Sequence, residues 1–222
     1  MTEKIIIVDY GSQYTQLIAR RVREACVYSE ILAWNNPKLE QIDPQVRGFI
    51  LSGGPSSSYA EGAPGLPPAL LGSNVPILGI CYGLQSLALA LGGEVSRAGA
   101  PEYGLAEIKV LRANPLLPEG SQTVWMSHGD RVTRLPTGWE VLASSVNCPI
   151  AAAGNQSRKL YGLQFHPEVR HTPLGAQILS RFVLEICACA ADWTPAAIIQ
   201  QSIARIREQA AGKQVLSAVS GG

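Results

Sequence analysis

Short, continuously apolar segments constrain the fold of this 222-residue chain more than any other feature of its sequence. They occupy residues 5–8, 48–51 and 76–80, and each ends in a polar or glycine-containing turn. A strand without polar alternation has both of its faces covered, as in a parallel sheet between two layers of helices. A helical pattern at about 15–25 follows the first segment directly. The sequence therefore predicts an α/β fold with a mainly parallel central sheet flanked by helices.

The region between about residues 94 and 165 has a different pattern. Short β-rich runs at 106–111, 123–126, 139–143 and 160–165 are separated by Pro, Gly and Asn turns. We expect these runs to add a small antiparallel β extension to the α/β domain.

Two Thr-Pro pairs predict helices in the last quarter of the chain. Threonine caps a helix well and proline is favoured in its first turn. Thr172-Pro173 predicts a helix to about residue 190, and Thr194-Pro195 predicts a second helix to about 210. Residues 214–219 are then expected to form another strand, followed by Ser-Gly-Gly.

Composition narrows the classes of partner and the cellular compartment. The 18 basic and 17 acidic residues give a formal charge of +1, which offers no electrostatic reason to expect nucleic acid or membrane as a partner. The apolar run at 5–8 is too short for a signal peptide or a membrane span, so a soluble, cytoplasmic protein with small ligands is expected. The five cysteines form an odd set without a CxxC pair, which predicts neither a disulfide framework nor a metal site.

Cys81 is the candidate nucleophile, in the segment Gly79-Ile80-Cys81-Tyr82-Gly83. This G-x-nucleophile-x-G pattern between an apolar strand and a helix is typical of a nucleophile elbow. Such a turn aims the positive end of the following helix at the sulfur and favours the thiolate. The alternative is that Cys81 is a small buried residue at the end of a strand.

His166 and Glu168 are the candidate base and its orienting carboxylate. They lie two residues apart, after the apolar run that ends at 165, and Glu168 could accept the imidazole N–H. By itself His-Pro-Glu is an ordinary polar loop, and only Cys81 makes the catalytic interpretation the better one. His171, the neighbouring histidine, is expected at the surface.

Acyl transfer also requires donors for an oxyanion, and backbone N–H groups are the best candidates. Tyr82 follows the nucleophile and can supply one of them. The Gly53-Gly54 step at the end of another strand can supply a second, because glycine allows the backbone angles needed to turn an N–H into the site. A plain turn explains the two glycines equally well.

Three motifs of this sequence resemble those of the class I (triad) glutamine amidotransferases: SGGP, GICYG and FHPE, in this order. The resemblance extends over residues 4 to about 190. The segments at 9–23, 126–130 and 162–169 resemble the GMP synthase branch of that family. The resemblance implies that L-glutamine is hydrolysed to glutamate and ammonia by Cys81, His166 and Glu168 through a γ-glutamyl thioester. No cofactor is implied for this chemistry.

The resemblance also implies further site residues. Gly54 and Tyr82 would bind the oxyanion. The backbone and charged ends of glutamine would be held by Gln85, Ser127, Gly129 and Asp130. Asp130 could instead form a structural salt bridge, and His128 is expected to be a structural histidine.

The domain organisation is likewise inferred from the resemblance. It implies an amidotransferase domain at 1–191, a linker helix at 192–213, and at 214–222 the first strand and phosphate-loop start of an ATP-pyrophosphatase domain. That synthetase domain would be the partner in the full-length chain, which is expected to be a homodimer. ATP and Mg²⁺ would bind only there, and ammonia would convert XMP to GMP. Three basic residues of the first predicted helix would either face that domain or lie on a solvated helix face: Arg20, Arg21 and Arg23.

Three other functions are weighed against this one. A γ-glutamyl peptide hydrolase would share the elbow and the histidine but would not explain the segments at 9–16 and 126–130. A catalytically silent regulatory module of a synthetase would not need all three triad residues. An ATP-using enzyme is disfavoured, because a terminal Ser-Gly-Gly without its helix cannot hold a nucleotide.

Overall fold

A computed structural model describes residues 2–218, apart from the side chains of Ala100 and Gln201. Within that range nine strands form one sheet with the order β2-β1-β3-β4-β9-β8-β7-β5-β6. The strands are β1 (Lys4–Asp9), β2 (Tyr28–Ala33), β3 (Val46–Leu51), β4 (Ile77–Ile80), β5 (Glu94–Val110), β6 (Ser121–Arg134), β7 (Glu140–Ser144), β8 (Ala152–Asn155) and β9 (Leu160–Leu163).

The strands β2, β1, β3, β4 and β9 are all parallel. The apolar segments predict β1, β3 and β4, whereas β9, from the run at 160–165 that the sequence places in the antiparallel extension, pairs parallel with β4. Alternate side chains of β1 enter two separate cores on opposite faces of the sheet. Ile5 and Ile7 pack on one face, and Ile6 and Val8 on the other. All four side chains are buried, which explains why this strand shows no polar alternation.

The strands from β9 through β8, β7 and β5 to β6 pair antiparallel and continue the same sheet. The predicted extension is therefore confirmed, although its hairpin β5–β6 contains the two longest strands of the sheet. The sequence did not predict β2 or β8. The segment Ala-Ala-Gly-Asn of β8 has low β propensity, and its position between β7 and β9 determines its conformation.

Helices cover both faces of the parallel region. They are α1 (Thr15–Glu24), a 3₁₀ turn (Pro37–Leu39), α2 (Pro68–Gly72), α3 (Tyr82–Ala90), α4 (Gly175–Ser180) with its π-helical continuation (Arg181–Ile186), and α5 (Pro195–Ala210). Ile18, Ala19 and Val22 form the buried face of α1. Because α3 leaves the carboxyl end of β4, its N-terminus lies at the edge of the sheet where ligand sites of open α/β folds occur.

The predicted helix from Thr172 to about 190 is wrong at both ends. It begins at Gly175, and its π-helical continuation ends at Ile186. Thr172 does not cap it, because the Thr172 hydroxyl donates to the carbonyl of His166 at 2.6 Å and accepts the N–H of Trp125 at 3.0 Å. The tertiary position of the His166 segment thus overrides the local capping preference.

The second Thr-Pro pair behaves as predicted. The Thr194 side chain accepts the N–H of Ala197 at 3.2 Å, and α5 follows to Ala210. The strand predicted at 214–219 does not form over 214–218, because those residues pair with no neighbouring strand; Val219 and the following Ser-Gly-Gly lie outside the described residues. No helix between residues 2 and 218 is long and apolar enough to cross a membrane.

Candidate active site

Cys81 lies in the sharp turn between β4 and α3. Its backbone angles, φ 52° and ψ −105°, are ones that a residue with a side chain rarely adopts. The turn is held on both sides: the Cys81 N–H donates to the carbonyl of Leu163 at 2.7 Å, and the Cys81 carbonyl accepts the N–H of Gln85 at 3.2 Å. This strained geometry places the thiol at the N-terminus of α3, as expected of a nucleophile elbow.

The elbow requires glycine at position 79, and this yields a stability prediction. A Cβ at Gly79 would lie 2.5 Å from the backbone of both Gly83 and Leu84, which cannot move without distorting the turn. We expect Gly79→Ala to lower the free energy of unfolding by about 3 kcal/mol or more, the upper range for overpacking. Denaturant unfolding measures this difference.

Gly72→Ala is the matched control for that prediction. A Cβ at Gly72, in helix α2, meets no other atom within 4 Å. Its effect should therefore stay within about 1 kcal/mol, and any change should be stabilising, because alanine favours helix. Equal stability of Gly79→Ala and the parent protein would show that the turn tolerates a side chain.

His166 and Glu168 form a short, buried hydrogen bond. The distance from His166 Nδ1 to Glu168 Oε1 is 2.7 Å, and the two residues are only 3% and 1% exposed. Since a carboxylate only accepts, Nδ1 carries the proton and Nε2 is left for a reacting group. His166 and Cys81 line the same small pocket, which also includes Ser12, Tyr14 and Gly54.

The pKa of His166 is raised to about 10 by its surroundings. Burial by itself lowers this pKa, but the interaction of the ring with the Cys81 side chain and its hydrogen bond to Glu168 outweigh that effect. The site therefore stabilises the imidazolium that forms when the histidine accepts a thiol proton.

Three contacts from separate elements fix the backbone around His166. Its carbonyl accepts the Thr172 hydroxyl, and its N–H donates to the carbonyl of Trp125 at 3.0 Å. Arg21 Nε donates to the carbonyl of Glu168 at 3.3 Å. The sequence predicted only a surface role for Arg21, and no local pattern indicated either this contact or that of Thr172. Arg20 is exposed and pairs with Glu24.

The predicted oxyanion residues lie beside the nucleophile. Gly54 and Tyr82 both line the cleft that contains Cys81. A Cβ at Gly54 would lie 3.1 Å from the Tyr82 ring and 3.1 Å from the carbonyl of Tyr10, so this position has little room for a side chain. Tyr82 is held in turn by its hydroxyl, which donates to the carbonyl of Pro64 at 2.6 Å.

A cleft of about 550 Å³ opens over the nucleophile. The residues predicted to hold glutamine all line it together with Cys81: Gln85, Ser127, Gly129 and Asp130. Gln85 is buried, and its amide donates to the carbonyl of Asp130 at 2.9 Å, which links α3 to β6. The Asp130 carboxylate accepts the Tyr59 hydroxyl at 3.0 Å and forms no salt bridge with any residue in the described range.

Several cleft residues were not found from the sequence. Arg97, Tyr59 and Tyr103 line the cleft, and Arg97 contributes a positive charge there. The Gln164 amide lies 3.6 Å from Cys81 Sγ and is fully buried. These side chains come from loops and strands whose approach to Cys81 depends on the sheet order, so no spacing along the chain could have indicated them. His171 is exposed as predicted and packs on Trp125.

Comparison with known proteins agrees with this geometry. The family profile described as glutamine amidotransferase class-I matches residues 6–186. The chain belongs to the class I glutamine amidotransferase family. A solved structure from Thermoplasma acidophilum, described as that of a candidate GMP synthase subunit, is 33% identical to this amidotransferase with a TM-score of 0.73. That match covers 90% of this chain and 98% of the other.

The amidotransferase is also similar to longer proteins. A protein from Alkalilimnicola ehrlichii named GMP synthase [glutamine-hydrolyzing] is 52% identical, and one of the same name from Nostoc is 49% identical. These matches cover 99% and 98% of this chain but only 44% and 41% of the relatives. The chain therefore spans less than half the length of the curated relatives it matches.

Proposed function

We propose that this amidotransferase hydrolyses L-glutamine to glutamate and ammonia, with Cys81 as nucleophile, His166 as base and acid, and Glu168 as the group that orients the histidine. One observation carries the proposal: a strained cysteine at a helix N-terminus shares a pocket with a buried histidine whose Nδ1 is bound to a carboxylate. Nucleophile, base and orienting group are the three parts that covalent acyl transfer requires.

The first half of the reaction breaks the C–N bond of the substrate amide. His166 Nε2 holds the proton that it has taken from Cys81, and the Cys81 thiolate attacks the amide carbon. Negative charge develops on the amide oxygen, where the backbone N–H groups of Gly54 and Tyr82 are proposed to donate. The imidazolium then gives its proton to the departing nitrogen, which leaves as ammonia and a γ-glutamyl thioester on Cys81.

The second half uses the same groups in reverse. His166 takes a proton from water, the resulting hydroxide attacks the thioester, and the imidazolium returns the proton to the sulfur. Glutamate is released and Cys81 is regenerated. The residues proposed to hold the ends of glutamine during both steps are Gln85, Ser127, Gly129 and Asp130, with Gly129 acting through its backbone.

The use of the ammonia is proposed from the relatives. Their name, GMP synthase [glutamine-hydrolyzing], and their greater length support a synthetase domain that follows this amidotransferase in the full-length protein. There ammonia would convert XMP to GMP with ATP and Mg²⁺, in a protein proposed to be a homodimer. The linker helix is proposed to lie between 192 and 213, which includes α5.

A reconstitution experiment tests both parts of the proposal. Ammonia release from glutamine should rise when a separately prepared synthetase domain with ATP and XMP is added, because the two sites are proposed to be coupled. The 222-residue chain alone should form no GMP from XMP, ATP and ammonia. Detectable GMP from the pure chain would refute the proposal that GMP formation requires the synthetase domain. Unchanged ammonia release would refute the proposed coupling between the two domains.

A further inference from the structure

A second cysteine, histidine and glutamate cluster lies behind the cleft and has no part in the proposed reaction. Glu102 and His128 are directly opposite each other on the antiparallel strands β5 and β6, and Cys148 lies in the loop between β7 and β8. Their ligand atoms all lie within 4.8 Å of one another, and all three residues are buried. A buried carboxylate is costly unless it is hydrogen-bonded, paired with a positive charge or bound to a metal.

The orientation of the His128 ring is fixed by a backbone group. Its Nδ1 lies 3.1 Å from the carbonyl of Asp130, and a carbonyl can only accept, so Nδ1 carries a proton. Nε2 then faces Glu102 Oε2. A histidine whose Nδ1–H is bound to a carbonyl, and whose Nε2 faces other atoms that can bind a metal, has the arrangement typical of a metal ligand.

The distance between these two atoms also fits a metal. Nε2 and Oε2 are 3.3 Å apart, longer than the roughly 2.7–2.9 Å of a charge-assisted hydrogen bond. Bonds of about 2.0–2.1 Å from zinc to nitrogen and oxygen at a tetrahedral angle would separate the two ligand atoms by about 3.3 Å. The spacing is therefore that of two ligands on one tetrahedral ion.

Neighbouring groups hold the three side chains of this cluster in place, and the cleft gives access to them. The Ser145 hydroxyl lies 3.3 Å from Glu102 Oε1 and accepts the Cys148 N–H at 2.9 Å, so it positions two of the three residues. His128 lines the cleft, which gives an ion a path to the cluster. A divalent ion would also neutralise the carboxylate of Glu102 and a thiolate at Cys148 in this buried position.

We propose that Glu102, His128 and Cys148 bind a zinc ion through one carboxylate oxygen, Nε2 and Sγ, with the Cys148 proton released to solvent on binding. All three are common zinc ligands, and three protein ligands leave a fourth position for water. The cysteine spacing did not predict this site, because its three ligands lie on separate elements. The ion would anchor the β6 segment that contains Ser127 and Gly129 to the loop that contains Cys148.

The test uses the Cys81→Ala protein, so that zinc cannot bind to the proposed catalytic thiol. Calorimetric titration with zinc chloride should show one equivalent bound, and zinc should raise the melting temperature. Titration with cobalt(II) should produce the absorption of a thiolate-bound tetrahedral ion. Absence of binding by this protein would overturn the proposal.

Ligand variants in the same background decide which residues bind the ion. Cys148→Ser and Glu102→Gln should each weaken zinc binding at least about 100-fold, and Ser145→Ala should weaken it roughly 10- to 100-fold as a group that only supports the ligands. Cys187→Ser is the control, because Cys187 is also buried but lies outside the cluster. Circular dichroism identifies any variant that fails to fold. Unchanged affinity in the folded Cys148→Ser or Glu102→Gln protein would overturn the assignment.

Discussion

Replacing Cys81 with alanine is expected to reduce ammonia release from glutamine by about 10⁴-fold or more, the usual cost of removing a catalytic nucleophile. The fold should persist, because Cys81→Ala removes only the sulfur and leaves the turn intact. The rate should be measured with the synthetase domain, ATP and XMP present, so that weak basal activity does not hide the difference.

Covalent labelling identifies the nucleophile independently of the rate. A glutamine-like electrophile such as an azo-norleucine should label Cys81 stoichiometrically. The Cys26→Ala protein should be labelled to the same extent as the parent protein and should hydrolyse glutamine at the same rate. Burial raises the pKa of Cys148 and of Cys189 to about 12, so these thiols stay protonated near neutral pH and should not compete. Stoichiometric labelling of Cys26 or Cys148 would refute the assignment of Cys81.

Glu168→Gln should lower ammonia release by roughly 10⁴-fold, by analogy with the carboxylate-to-amide change in serine protease triads. The amide cannot stabilise the imidazolium, and it can present its NH₂ group to Nδ1 and so favour the wrong tautomer. The pKa of His166 should fall from its raised value in this variant, because the hydrogen bond and the charge of Glu168 both raise it. NMR titration of the histidine side chains measures that pKa, and the His166→Gln spectrum assigns the signal.

The ionisation of His166 also makes the free energy of unfolding depend on pH. Because the folded pKa of His166 is above the unfolded value, its contribution to stability is complete below about pH 6.5 and is lost as pH rises through about 10. The difference in unfolding free energy between the parent and Glu168→Gln should therefore shrink over that range. A difference that stays constant across the same range, with an unchanged His166 pKa in the variant, would show that Glu168 does not stabilise the imidazolium.

The strands β1, β3 and β4 of the parallel region were predictable because each carries a continuous apolar pattern and is largely buried on both faces. The strand β2 was missed because polar and apolar residues mix along it, and β8 because its small residues have little preference for strand. The Thr172-Pro173 pair predicts a helix cap, because its two residues suit the start of a helix. The Thr172 hydroxyl instead binds the backbone of His166, a contact that only the packed structure creates.

The sequence by itself determined which residues are the candidate reacting groups, because a tight elbow and a His-Pro-Glu segment are each encoded by neighbouring residues. Tertiary structure decided how those groups are supported, through the contacts of Arg21, Thr172 and Gln164 with the segments that carry the proposed triad. It also brought together Glu102, His128 and Cys148, from positions up to 46 residues apart along the chain. The reason is physical: local motifs depend on backbone angles of adjacent residues, whereas these contacts depend on which strands pair in the sheet.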